Sequence, residues 1–354
     1  MTDVLITAGE LAEFLTKEPC VIIDTRNPEA YGAGHLPGAV NVHEIFTYLA
    51  TSTPEGVAAM REKFASIFGA AGLSGEETAV VYEQSMNTGF GQSCRGYVLL
   101  RYLGYPKIKV LHGGYAAWTA AGLPTTTAVP MPTPKSFSLD PDAAGILVDL
   151  QGMKAAVADP NLVKLDTRDV DEWIADSSSP YGKDFCPRKG RIPGAVWIEW
   201  YRMMKPTPNG PMFKSREEIL AECATVGITQ KTPVVLYCFK GARASNTLVA
   251  LKEAGIEDVT LYFGSWNEWS RDPSLPIETG LPFTMPAAAS VAARGRRTGR
   301  AAGCATSAGG DAGTQHLFGM RQKPACAALG RPFLRHKTCK GSVQDALGKK
   351  RGRP

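Results

Sequence analysis

Short apolar runs alternate with stretches of helical period along the first 285 residues of the chain. Val234 to Tyr237, after Pro233, is an apolar, partly β-branched run of strand length. Beyond Cys238 and a short loop containing Gly241 the period changes. Leu248, Val249 and Leu251 mark a helix that ends at Gly255. Near the start, Thr7 and Glu10 stand three apart as a capping box for a helix carrying Leu11, Phe14 and Leu15. Val98, Leu99, Tyr102 and Leu103 give a further apolar helical stripe. Strands alternating with helices in this way predict an α/β fold, with parallel sheets covered by helices. The reactive crevice of such a sheet lies at the carboxyl ends of its strands.

The pattern is written twice. Val21-Ile22-Ile23-Asp24-Thr25-Arg26 returns as Val163-Lys164-Leu165-Asp166-Thr167-Arg168, and Gly34-His35-Leu36-Pro37-Gly38-Ala39-Val40 as Gly190-Arg191-Ile192-Pro193-Gly194-Ala195-Val196. Thr78-Ala79-Val80-Val81 returns as Thr232-Pro233-Val234-Val235, and the pair Gly113 and Trp118 as Gly264 and Trp269. Four matched segments in one order imply duplication of a whole domain. The expected division is residues 1–125, a linker 126–142 containing Pro130, Pro132, Pro134 and Pro141, and residues 143–285.

Charge separates a third region. Residues 286–354 hold 14 Lys and Arg against 2 acidic residues, whereas the preceding 285 hold 25 against 32. This stretch is rich in Ala, Gly and Arg and poor in large apolar residues, so a disordered basic tail is expected. Its clusters at 294–297 and 349–353 lack interleaved aromatic residues, which disfavours nucleic acid as a partner. No run of about 18 apolar residues predicts a membrane span. Met1-Thr2-Asp3-Val4 lacks the features of a signal peptide, so a cytoplasmic location is expected. The eight cysteines (20, 94, 186, 223, 238, 304, 326, 339) have no zinc-finger spacing and are read as free thiols. Neither they nor His316 and His336 form a metal-ligand pattern.

One cysteine stands apart. Cys238 lies between a strand end and a helix start, where backbone N–H groups and the helix dipole favour a thiolate, and Lys240 and Arg243 add positive charge. These features make it a candidate nucleophile. The spacing from Cys238 to Arg243 is C-x4-R, one residue tighter than the C-x5-R cradle that a tetrahedral phosphoryl group needs, so a phosphatase is disfavoured. The aligned stretch of the first unit, Val81-Tyr82-Glu83-Gln84-Ser85-Met86-Asn87, has no cysteine, and Cys94 falls in the following helical pattern, where packing is the expected role.

Asp-Thr-Arg after the first strand, Gly-His-x-Pro-Gly-Ala, the cysteine loop and Gly-Gly-x-x-x-Trp together resemble the rhodanese family of sulfurtransferases, over about residues 1–285. The resemblance implies two tandem rhodanese-like domains, of which the second is catalytic and the first walls the site. It implies ping-pong transfer of sulfane sulfur from thiosulfate to cyanide or a thiol through a Cys238 persulfide, needing no metal or organic cofactor. Phe239, Gly241 and Ala242 would stabilise the persulfide through loop N–H groups, while Lys240, Arg243, Arg188 and Arg191 would bind the anionic donor. Arg191 replaces the histidine of Gly-His-x-Pro-Gly, and Arg188 lies in an insertion, 176–189, that also holds Cys186 and Lys189. Asp166 and Arg168 recur as Asp24 and Arg26 in the non-catalytic unit, which argues for structural support. His35 is expected at the domain interface or capping a turn, and Trp266 and Trp269 in the core or walling the site. A monomer acting on small-molecule donor and acceptor is expected. The rivals are 3-mercaptopyruvate as donor, whose loops are small and uncharged, and a persulfide carrier or scaffold that does not turn over.

Overall fold

The computed structural model describes residues 4–138, 140 and 145–281. The expected tail, with Cys304, Cys326, Cys339, His316 and His336, lies outside the described residues. The first half contains strands β1 (Leu5–Ile6), β2 (Cys20–Asp24), β3 (Val40–Asn41), β4 (Thr78–Tyr82) and β5 (Ile108–Leu111). Between them run helices α1 (Ala8–Phe14), α2 (Pro28–Ala33), α3 (Glu44–Thr47), α4 (Pro54–Ala70), α5 (Gln92–Tyr102) and α6 (Gly114–Ala120). All strand pairs are parallel, in the order β1-β5-β4-β2-β3. The capping box of Thr7 and Glu10 opens α1 as the spacing predicts.

The second half repeats the plan. Strands β6 (Leu147–Val148), β7 (Val163–Asp166), β8 (Ala195–Trp197), β11 (Val234–Tyr237) and β12 (Val259–Tyr262) are parallel in the order β6-β12-β11-β7-β8. A two-stranded ribbon of β9 (Met204–Lys205) and β10 (Met212–Phe213) is inserted. The helices are α7 (Leu150–Ala158), α8 (Val170–Trp173), α9 (Arg216–Ala224), α10 (Ala242–Glu253) and α11 (Ser265–Trp269). The expectation of two parallel sheets flanked by helices therefore holds in both halves. β11 is buried at every position, as the unbroken apolar run of a central parallel strand requires. No helix among the described residues is long and apolar enough to cross a membrane.

Between the halves, residues 127–138 carry no helix or strand and are pinned to the first domain. Lys135 N–H donates to Gly69 O at 2.9 Å, and the Phe137 ring stacks on Tyr105. α5 packs against α10, so one apolar core runs from Val81 and Leu100 through to Leu248 and Leu251. Gly91 permits this approach, because a Cβ there would lie 2.4 Å from Ala242 O. A second tie joins Ser52 of the first domain to Glu268 of the second, with the Ser52 N–H and hydroxyl donating at 2.7 and 2.6 Å. The result is a buried seam ending at the C-terminal edge of β11.

Candidate active site

Cys238 is the first residue beyond β11, and three residues later Gly241 caps α10. The Gly241 N–H donates to Cys238 Sγ at 3.1 Å. That donor, and the N-terminal end of a twelve-residue helix, favour negative charge on the sulfur. The Cys238 N–H is held by Ser265 Oγ at 3.4 Å, whose hydroxyl donates to Tyr262 O at 2.9 Å. Ser265 occupies the left-handed region at φ 54°, a strained setting for a residue with a side chain. Cys238 is 1% exposed and lies on the floor of a pocket of about 240 Å³.

Two cations were expected beside the sulfur, and their states differ. Arg243 lines the pocket, but its guanidinium meets both oxygens of Glu172 at 2.6 and 3.1 Å and Asp169 at 2.9 Å. Burial alone would depress its pKa, and the Glu172 carboxylate reverses this and holds it well above the ordinary value. Its charge is thus spent within the protein. Lys240 is buried, with Nζ 3.9 Å from the centre of the Phe46 ring and 5.6 Å from that of Tyr181. Burial, then the neighbouring Arg95, pull its pKa down to about 7, against the opposing pull of Cys238. It is a titratable group near neutrality, not the fixed cation read from the sequence.

Arg95, at the start of α5, was not singled out by the sequence. Its guanidinium donates to Phe46 O at 3.1 Å and Tyr48 O at 2.8 Å, which holds the Phe46 ring over Lys240. Burial lowers its pKa to about 10, while Cys238 acts in the opposite sense. The pocket wall is aromatic. Phe46 and Phe90 come from the first domain, Tyr181 and Phe239 from the second. The sequence offered no signal for Phe46, Phe90 or Tyr181, which lie far from Cys238 in the chain and are gathered by the seam.

Arg188 and Arg191 are corrections. Arg188 donates to the carbonyls of Trp269, Ser270, Asp272 and Leu275, and Arg191 to those of Trp173 and Gly280 and to the Glu278 carboxylate. Both stitch the 269–280 segment to the domain, and neither lines the pocket. Asp166 and Arg168 form a fully buried pair at 2.5 Å, completed by Tyr237 hydroxyl to Asp166 (2.7 Å) and Arg168 to Gly190 O (2.8 Å). Asp24 and Arg26 do the same in the first domain, with Tyr82 and Gly34 O. Of the loop residues, Gly241 gives its N–H to sulfur, Ala242 begins α10, and Phe239 turns its ring to Tyr181 at 4.8 Å. Trp266 and Trp269 are buried in the core, and His35 is buried against Tyr31 and Ala128 O.

Burial pushes the other described thiols up: Cys94 well above the ordinary value, Cys20 and Cys223 to about 12, Cys186 to about 11. As for metals, Asp169, Asp171 and Glu172 bring carboxylate oxygens within 4.8 Å of one another, but Asp169 and Glu172 already answer Arg243.

Residues 7–121 and 149–272 each match the Rhodanese-like domain family. The chain is similar to the thiosulfate sulfurtransferase of Azotobacter vinelandii, at 29% identity over 77% of this chain and 96% of that protein. It is also similar to the sulfur carrier protein TtuD of Thermus thermophilus, at 27% identity over 71% of this chain and 87% of that one. Among solved structures it resembles the anaerobic ergothioneine biosynthesis enzyme of Chlorobium limicola in complex with trimethyl histidine, with TM-score 0.68, 25% identity, and 79% and 71% of the two chains covered.

Proposed function

Since the chain belongs to the rhodanese-like domain family, with two copies of the domain, we propose that it is a thiosulfate sulfurtransferase whose second domain, residues 143–285, is catalytic. The first, residues 1–125, joined by the linker 126–142, walls the site without chemistry of its own. The observation that carries this reading is the setting of Cys238. Its sulfur lies at a helix N-terminus, takes an N–H bond from Gly241, and sits at the floor of a pocket beside Lys240.

In the donor half-reaction the Cys238 thiolate attacks the outer sulfur of thiosulfate. A new S–S bond forms, the S–S bond of thiosulfate breaks, and sulfite leaves with the electron pair. The negative charge on the resulting persulfide faces the Gly241 N–H, a donor set in place before the reaction. Lys240 in its protonated form attracts the dianion and eases departure of sulfite. Arg243 acts through Glu172 and Asp169, as a positioning residue that fixes the start of α10. In the acceptor half-reaction cyanide or a thiolate takes the outer sulfur and Cys238 returns to thiolate. The protein works in the cytoplasm, as a monomer, on small-molecule donor and acceptor.

Donor identity rests on Lys240, and 3-mercaptopyruvate is the rival substrate. The likeness to a sulfur carrier protein favours a second reading, a persulfide carrier. A steady-state assay with both donors separates the three. An enzyme turns over, with the higher kcat/KM naming its donor. A carrier loads one sulfur per chain and stops, which would overturn the enzymatic reading.

A further inference from the structure

The walls around Cys238 carry more apolar surface than a compact dianion needs. Phe90 is held at φ 56°, in the left-handed region that an aromatic residue rarely adopts, and its ring stands at the pocket with 46% of the residue exposed. Across the pocket Tyr181 is 42% exposed and packs on Phe239. The fully buried Trp200 ring backs Phe90 at 6.0 Å and meets the Tyr201 ring at 4.3 Å, so Phe90 stands on a packed aromatic base. Large aromatic residues kept at the mouth of a small pocket mark a surface that a ligand covers. With Arg243 already neutralised by Glu172 and Asp169, Lys240 is, among the described residues, the one charged side chain lining the pocket that can answer a single negative charge next to the sulfur. The pocket thus offers one cationic point at the floor and rings above it.

We propose that the acceptor is a small thiol with an aromatic or branched apolar body, lying between Phe90 of the first domain and Tyr181 of the second. The assignment rests on the persulfide reading above. The acceptor thiolate attacks the outer sulfur of the Cys238 persulfide, and a bond forms between the two sulfurs. The bond from that outer sulfur to Cys238 Sγ breaks, its electron pair returns to Cys238 as thiolate, and the acceptor leaves as a persulfide. No oxidant or reductant enters. A cysteine on the rigid surface of a folded protein is a poor fit, because Cys238 is buried at the pocket floor.

The test uses the full chain and two thiols of similar acidity, phenylmethanethiol and 2-sulfanylethanol. Wild type should discharge its persulfide with a kcat/KM at least about tenfold higher for phenylmethanethiol, the scale that burying an aromatic ring supplies. Phe90→Ala and Tyr181→Ala should each lower that ratio by about three- to tenfold. Met131→Ala, on the linker and 97% exposed, should leave the ratio alone. Equal rates with both thiols, or a ratio unmoved in both pocket variants, would overturn the proposal. Loading the persulfide with sodium polysulfide in place of thiosulfate keeps the donor question separate. A chain that accepts sulfur from polysulfide but not from thiosulfate contradicts the donor assignment, while its discharge still decides the acceptor.

Discussion

In the first domain β4 runs into Glu83, and in the second β11 runs into Cys238, with the same backbone around both. Tyr115 and Ala116 donate to the carbonyls of Glu83 and Gln84, as Trp266 and Asn267 donate to those of Cys238 and Phe239. Each loop ends on a glycine at positive φ that caps the next helix, Gly91 for α5 and Gly241 for α10. What differs is the chemistry and the loop length. Glu83 is fully buried with its carboxyl group accepting the Ser93 N–H at 3.2 Å, so the helix N-terminus is filled by a side chain of the protein's own. Seven residues, 84–90, then carry Phe90 to the other domain's pocket, where two residues suffice after Cys238. Gly114, at φ 63°, stands where Ser265 stands at φ 54°. A Cβ at Gly114 would meet Glu83 O at 2.4 Å, whereas Ser265 takes on the strain and gives Cys238 N–H a partner. One scaffold thus yields a sealed carboxyl site and an open cysteine site by changing two positions and a loop.

The sharpest break of that comparison is by substitution at the two cysteines. Cys238→Ser should reduce turnover below about one thousandth of wild type, since among the described thiols it is the one that lines the pocket. Cys94→Ser should keep most activity, because that thiol lies on α5, packed in the core and held protonated by burial. Loss of turnover in Cys94→Ser with an intact fold would mean the first domain is chemically active.

Charge in the open site comes next. Lys240→Ser should lower kcat/KM for thiosulfate by about tenfold to hundredfold, the worth of a desolvated charged contact. The loss should be smaller for 3-mercaptopyruvate, whose carboxylate lies further from the transferred sulfur. Lys240 has its pKa lowered to about 7, so its charge is present below that pH and lost above it. Thiosulfate kcat/KM should therefore fall as pH rises through about 7, and Lys240→Ser should flatten that limb. Equal losses for both donors would leave Lys240 no part in choosing between them.

The sealed site should reveal itself in stability. Burial raises Glu83 to about 8, with the Ser93 N–H pulling the other way. Between the unfolded carboxyl pKa and about 8 the folded chain binds the extra proton, so stability should fall as pH rises across that window. Glu83→Gln should remove the slope, gaining of order 1–2 kcal/mol at pH 9 relative to pH 5 once local relaxation is allowed for. Identical pH dependence of Tm in the two proteins would show that Glu83 is ionised throughout. The smallest effect belongs to Arg95→Met. Removing that charge should move the Lys240 limb up by a few tenths of a pH unit, and an unmoved limb would leave Arg95 only its bonds to Phe46 and Tyr48.

The duplicated plan, the β11 strand and the placing of Cys238 were legible because each is local: a run of apolar residues, a period change, a glycine. The pocket walls were not. Phe90 reaches Cys238 only because α5 and α10 pack against each other, a contact no spacing encodes. Glu83 was hidden because matching Thr78 to Thr232 sets it opposite Tyr237, whereas the strand register, with Tyr82 beside Asp24 and Tyr237 beside Asp166, aligns it with Cys238. Arg191 was misread as substrate-binding, yet a signal existed. It repeats the position of His35 in the copy that lacks the cysteine, and both bridge a segment at the domain's end, at Glu278 and Thr126. A feature shared by both copies is scaffold, the argument that had already been applied to Asp166 and Arg168.

The central claim is that only the second strand end carries sulfur. Peptide mass spectrometry after thiosulfate treatment tests it directly. The account predicts an added mass of about 32 Da, one sulfur atom in the covalent intermediate, on the peptide containing Cys238, and none on those containing Cys20, Cys94, Cys186 or Cys223. Sulfur on any of these four in place of Cys238 would contradict it.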